Sequence, residues 1–198
     1  MFSNPQTKLE AVNAMLIAIG AAPVNSLAPA FSDQNLAVKL LEDVVREVCQ
    51  HGFKFNTDTN YKLQPDIDGY IHVPVGALNV DPTDPHQDLI QRYHPDLKQE
   101  LLWDQTNHTF EIGEDVRVNV RWAYDFDALP ASAKSYVTAA ASRRFQAQVI
   151  GDPTADRLSD DQEQRAWLVL IKEQHGNANP NYFRQNPKLN ASRNRYWR

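Results

Sequence analysis

The apolar periodicity of the chain changes twice, and that constrains the fold more than any other feature. Up to Gly52 the apolar residues recur with a helical period of about 3.6 residues. Between Phe53 and Ala128 they alternate or cluster among prolines. From Pro130 the helical period returns. Helices at both ends must share one core, because neither pair can bury a wide stripe alone. The middle must then be a β unit inserted into a discontinuous bundle.

The local signals place the elements. Thr7-Lys8-Leu9-Glu10 is a capping box, in which hydroxyl and carboxylate each satisfy an orphan N–H. Leu9, Val12, Met15, Leu16 and Ile19 follow on one face, and Gly20 stops the helix. A second helix opens near Ser32-Asp33. Its pairs Leu40/Leu41, Val44/Val45 and Val48/Cys49 form a wide stripe that runs to Gly52. Phe53, Phe55, Tyr61 and Leu63 flank an expected polar turn at Asn56–Asn60. Tyr70–Val75 is read as a short strand, and Leu101–Trp103 with Thr109–Ile112 as a hairpin across Asp104–His108. Val116, Val118, Val120 and Trp122 alternate with Arg117, Asn119 and Arg121, a strand with one buried face. Pro65, Pro74, Pro82, Pro85 and Pro95 confine the rest to loops and edge strands.

After Pro130, the positions Tyr136, Val137, Ala140, Ala141, Phe145 and Val149 form a core stripe broken by Gly151-Asp152-Pro153. Ser159-Asp160-Asp161-Gln162 reads as a second capping box, before a helix through His175 with Trp167, Leu168, Leu170 and Ile171 on its apolar face. The expected fold class is therefore α+β. Residues 1–52 and 129–175 form a helical bundle, 53–128 an inserted small antiparallel β-sandwich or barrel, and 176–198 an extended C-terminal arm.

Charge divides the chain further. The formal net charge of −5 argues against a globally basic nucleic-acid binder. Residues 176–198 hold no acid but carry Arg184, Lys188, Arg193, Arg195 and Arg198, while the first 175 residues carry a net −10. Tyr182, Phe183, Tyr196 and Trp197 give the arm aromatic anchors, and no period runs through it. Three readings stand for it: a frayed terminus, an arm docking on another protein, or a phosphate-binding segment. Met1–Lys8 lacks the charged-then-apolar order of a signal peptide, and no apolar run approaches the length of about 18 residues that a membrane span needs. A single cysteine, Cys49, excludes a disulfide framework or a Cys-cluster metal site. It suits a reducing cytoplasm and a small core position.

Catalytic motifs are missing. The seven glycines are scattered, with no phosphate loop, and neither G-x-S-x-G nor H-E-x-x-H occurs. Asp81-Pro82-Thr83-Asp84-Pro85-His86-Gln87-Asp88 gathers three carboxylates and a histidine, which could ligate a divalent ion. Its prolines and its spacing suit an ordinary turn better. His94-Pro95-Asp96 reads the same way. The histidines 51, 72, 86, 94, 108 and 175 fall on different elements. Arg143-Arg144 suits a solvated helix face making salt bridges, and Asp125 and Asp127 suit the N-terminal field of the helix that follows. No catalytic residue, cofactor or resident metal is expected. The alternative is a metal-dependent hydrolase using Asp84, His86 and Asp88.

Several stretches carry a resemblance. Leu9-Glu10-Ala11-Val12-Asn13-Ala14-Met15-Leu16, then Ile19-Gly20 and Ala22-Pro23-Val24, form one. His51-Gly52-Phe53-Lys54-Phe55-Asn56 is a helix-to-strand junction with Phe53 in place of a usual Trp. Leu102-Trp103-Asp104, Ala128-Leu129-Pro130, Tyr136-Val137 and Ala141-Ser142-Arg143-Arg144-Phe145-Gln146 through Gly151 complete the set. In this order and spacing the chain resembles the tail tubular protein A family, the head-to-tail adaptors of short-tailed bacteriophages. The resemblance covers about residues 7–175. It implies a dodecameric ring in the virion tail, assembled in the host cytoplasm. Its implied partners are the portal protein, the tail nozzle protein (tail tubular protein B) and the tail fibres, with genomic DNA passing through the lumen and no membrane involved. The arm residues Tyr182, Phe183, Arg184, Lys188, Arg193, Arg195, Tyr196, Trp197 and Arg198 would dock on the portal.

Overall fold

A computed structural model describes residues 7–28 and 32–176 of the chain. Helix α1 (Lys8–Ala18) opens on the capping box foreseen from the sequence: Thr7 Oγ1 accepts from Glu10 N and Glu10 Oε2 from Thr7 N, both at 3.2 Å. It closes where Gly20 takes φ +78° and lets the N–H groups of Gly20 and Ala21 reach the carbonyls of Ile17 and Leu16. The loop that follows is tied back by Asn13, whose amide exchanges two hydrogen bonds with the backbone of Val24. The buried Gln34 donates to the carbonyls of Ser26 and Ala28.

Helices α2 (Ser32–His51), α3 (Ala131–Val149) and α4 (Pro153–Gly176) complete the helical part. Their shared core holds Val12 and Met15 of α1, Leu41, Val44, Val48 and Cys49 of α2, and Val137, Ala140, Ala141 and Phe145 of α3. Leu170 of α4 joins it. The alanines of α3 let α1, α2 and α4 all approach it closely, so α3 is the central helix. Pro130 lies just outside α3, and its carbonyl accepts from Lys134 N. Phe145 is fully buried, but Val149, foreseen on the core stripe, is exposed at the end of the helix.

The inserted segment holds β1 (Thr57–Leu63), β2 (Ala77–Pro82), β3 (Leu89–His94), β4 (Gln99–Asp104) and β5 (Val116–Trp122). One antiparallel sheet has the order β1-β5-β2, and β3 pairs with β4 in a second. Val116, Val118 and Val120 of β5 meet Leu63, Ile71, Val80, Leu89 and Leu102 in a second buried cluster. The foreseen alternation of β5 holds, because it is the central strand and shows one face to that cluster.

Four local expectations are corrected. The chain does not turn at Asn56–Asn60: a single 3₁₀ turn ends at Asn56 and β1 starts at once, absorbing the polar run as a bulge between Asp58 and Tyr61. Tyr70–Val75 is no full strand. It makes isolated bridges at Tyr70 and His72, then leaves through a Pro74–Ala77 turn. The 101–103 segment hairpins with β3 rather than with 109–112. The carboxylate of Asp104 takes the N–H groups of Thr106 and Asn107, and the other edge of β4 is held by Ile71 and Val73. Finally, α4 begins at Pro153, so Ser159 is not a cap. Pro153 suits a first helical position, and Ser159 sits mid-helix, donating to Gln146 Oε1 at 2.6 Å.

One side chain joins the two buried clusters. Asn56 is 1% exposed. Its Nδ2 donates to the carbonyls of Cys49 (2.8 Å) and Trp122 (2.9 Å), and its Oδ1 accepts from Phe53 N (2.9 Å). Replacing it with alanine orphans buried backbone groups that each cost about 1–3 kcal/mol. Asn56→Ala is therefore expected to lose at least about 2 kcal/mol in urea unfolding, without a change in fold by circular dichroism.

Candidate functional site

The foreseen arm residues, Tyr182 through Arg198, lie outside the described residues.

The aspartate-rich loop forms a turn. Asp84 Oδ1 accepts from His86 N at 2.9 Å and its carbonyl accepts from Gln87 N at 3.1 Å, the local bonding that Asp supplies in loops. Asp81 faces Asn79 and Arg121 instead, and the Asp88 carbonyl accepts from Gln105 N. Among the described residues, no group of three or more His, Cys, Asp or Glu side chains is placed to hold a metal ion. The histidines are likewise dispersed. His51 stacks on Phe53 at 4.6 Å, His72 contacts Asp66 at 2.7 Å, and His94 packs on Phe110 while its Nδ1 accepts from Leu97 N.

A cleft of about 410 Å³ opens between α2 and residues 123–127. Leu41, Val45, Cys49 and Leu78 form its apolar floor, and Lys8, Glu42, Arg46, Asp125 and Asp127 its rim. Burial pushes the Cys49 thiol up from its ordinary range, so it stays protonated and acts as an apolar floor group rather than a nucleophile. Asp127 does serve a helix N-terminus, but that of α1. Its Oδ1 accepts from Lys8 N at 2.8 Å. The buried Phe126 anchors the intervening 3₁₀ turn and so aims Asp127 away from α3.

The expectation for Arg143-Arg144 holds. Arg143 reaches from α3 to α4, donating to Asp156 through Nε (2.8 Å) and Nη2 (3.3 Å), to Glu163 (3.3 Å) and to Asp160. Arg144 forks onto Glu47 of α2, with two bonds of 2.7 and 2.6 Å. These hydrogen bonds hold the Glu47 and Asp156 carboxyls below their ordinary values and raise both guanidiniums further.

Sequence reading put Leu168 on the apolar inner face of α4. It is instead 65% exposed, as is Leu158, and Val169 is 57% exposed. The inward side of α4 is made by Trp167, Leu170 and Ile171 with the acids that meet Arg143. A signal was available, since Leu158, Arg165, Val169 and Lys172 fall on one helical face.

A family of tail tubular proteins matches residues 9–180, from α1 through the β insertion to just past α4. The chain belongs to the tail tubular protein family. No curated protein matches the sequence. Tail tubular proteins belong to the tails of podoviruses, so its role is structural and its place is the virion tail. Among the described residues no helix is long and apolar enough to cross a membrane.

Because Glu47 is held below its ordinary value, its ion pair contributes stability at neutral pH that is lost as pH falls through the native pKa. Arg144→Ala is expected to lower the melting temperature by about 2–4 °C at pH 7, the effect of roughly 1 kcal/mol in a chain of this size. The difference from the unsubstituted protein should narrow in acid, as pH falls through the lowered value of the Glu47 carboxyl. Calorimetry across pH measures both.

Proposed function

We propose that this tail tubular protein is the head-to-tail adaptor of its virion, a dodecameric ring that joins the portal protein to the tail nozzle and surrounds the passing genome. The observation that carries the reading is the extent of the family match. It takes in the helical bundle, the β insertion and α4 as one unit. The division into bundle (1–52, 129–175), insertion (53–128) and arm (176–198) belongs to the same proposal.

The charge distribution supports it. Residues 53–128 hold 14 acidic against six basic side chains, a net −8. The arm is +5 and holds no acid. A ring whose lumen is acidic repels phosphates and lets DNA slide without adhering. A basic, aromatic arm suits docking on a neighbouring component through buried anchors. In this reading Tyr182, Phe183, Arg184, Lys188, Arg193, Arg195, Tyr196, Trp197 and Arg198 hold the portal, and the nozzle and tail fibres seat on the remaining surface. Assembly takes place in the host cytoplasm.

The full and a shortened chain test it by electron microscopy and co-sedimentation with purified portal. The full chain is expected to form a ring on the base of the portal. A chain lacking 177–198 keeps α4 whole and should retain its circular dichroism while losing portal binding at least tenfold. Undiminished binding of the truncated chain would overturn the role of the arm. A full chain that adds no ring to the portal would overturn the adaptor itself.

A further inference from the structure

Two exposed apolar features carry flanking side chains of opposite charge. The first is the outer face of α4. Away from the side packed on α3, it carries Leu168 and Val169 between Arg165 and Lys172, and Leu158 beside Arg157 about 15 Å nearer its N-terminus, past Asp161. Those three cations are exposed, and none forms an ion pair among the described residues. They stand out in a body of net charge −10.

The second feature is the turn Asp66-Ile67-Asp68-Gly69. Ile67 is 100% exposed at its tip, with an aspartate on either side. The turn is held firmly. Asp66 Oδ1 accepts from the N–H groups of Asp68 (3.0 Å) and Tyr70 (2.9 Å), and its Oδ2 meets His72. The backbone closes through Asp66 N to Tyr70 O and Gly69 N to Asp66 O. Gly69 has φ +83°, a conformation that L side chains rarely adopt, and packs against the backbone of Gly113. A knob held this way loses little conformational entropy on docking. A fully exposed isoleucine contributes nothing to its own fold.

We infer that the Asp66–Gly69 turn of one copy of this chain docks on the outer face of α4 of the next. Ile67 seats on Leu168 and Val169, and Asp66 and Asp68 face Arg165 and Lys172, which flank that pair along the helix. Two different patches on each copy make the contact heterologous, which closes into a ring when the rotation allows. The inference rests on the ring reading above and supplies its subunit contact.

Analytical ultracentrifugation of the full chain tests it with three variants: Ile67→Lys, the double variant Arg165→Glu/Val169→Glu, and Val75→Lys as control. Val75 is equally exposed, on another turn. All the substituted positions are on the surface, so the melting temperatures should stay close to that of the unsubstituted protein. The unsubstituted chain and the control are expected to assemble, and the other two variants to associate at least tenfold more weakly. An equimolar mixture of those two retains one intact pair of patches and should stop at a heterodimer. Assembly of either variant as readily as the unsubstituted chain would overturn the contact and leave the ring reading standing. So would two monomeric variants whose mixture yields no heterodimer. Should the unsubstituted chain assemble only on purified portal, the same comparison is read there; a chain that stays monomeric both alone and with portal would overturn the ring reading, and this contact with it.

Discussion

The buried amide of Asn56 is the constraint on which the architecture depends. A β unit inserted into a helical bundle leaves and re-enters it through two chain crossings, and nothing in a hydrophobic core fixes their relative register. Asn56 does so with directional bonds. It binds the end of α2 at Cys49, the following residue Phe53, and the end of β5 at Trp122. Inside a low-dielectric junction such bonds are costly to break and tolerant of few alternatives. Neighbouring features follow from this anchor. Trp122 donates to Asp58 at 2.8 Å and packs edge-on against Tyr61. Arg121 lies over Gly52, where a Cβ would fall 2.7 Å from its Nε. The chain leaving β5 then delivers Phe126 into the helical core and Asp127 to the start of α1.

A second theme is the allocation of cations. Arg143 and Arg144 are used within the subunit, pinning α4 and α2 to the central helix. Arg157, Arg165 and Lys172 are left facing outward on α4. For a tail component whose work is assembly, free charge on one helix beside exposed leucine and valine matters more than any pocket. Burial holds the Cys49 thiol on the floor of the cleft beside α2 above its ordinary range, and it serves there as an apolar group.

Much of this was legible in the sequence because the signals are local. The capping box at Thr7, the glycine stops at Gly20 and Gly52, the alternation of β5 and the salt-bridging role of Arg143-Arg144 each depend on residues close in the chain. The errors have a common origin. Leu101–Trp103 has equally strand-like neighbours on both sides, and the partner was decided by Asp104 tightening its turn while Ile71 and Val73 occupied the other edge of β4. Ser159 looks like a cap until Pro153 starts the helix earlier. Leu168 reads as core because it adjoins Trp167 and Leu170, although a step of one residue turns it about 100° around the helix.

The sequence by itself determined the order of helices, then strands, then helices, the ends of α1 and the contrast between an acidic stretch over residues 1–175 and a basic one over 176–198. Periodicity, caps and charge are properties of neighbours along a chain, so they can be read without coordinates. Only the tertiary structure decided which strand edges pair, which helix Asp127 caps, how Asn56 joins the two buried clusters and which side of α4 stays bare. Those outcomes depend on which surfaces meet in space, and a local pattern compatible with several partners does not choose among them.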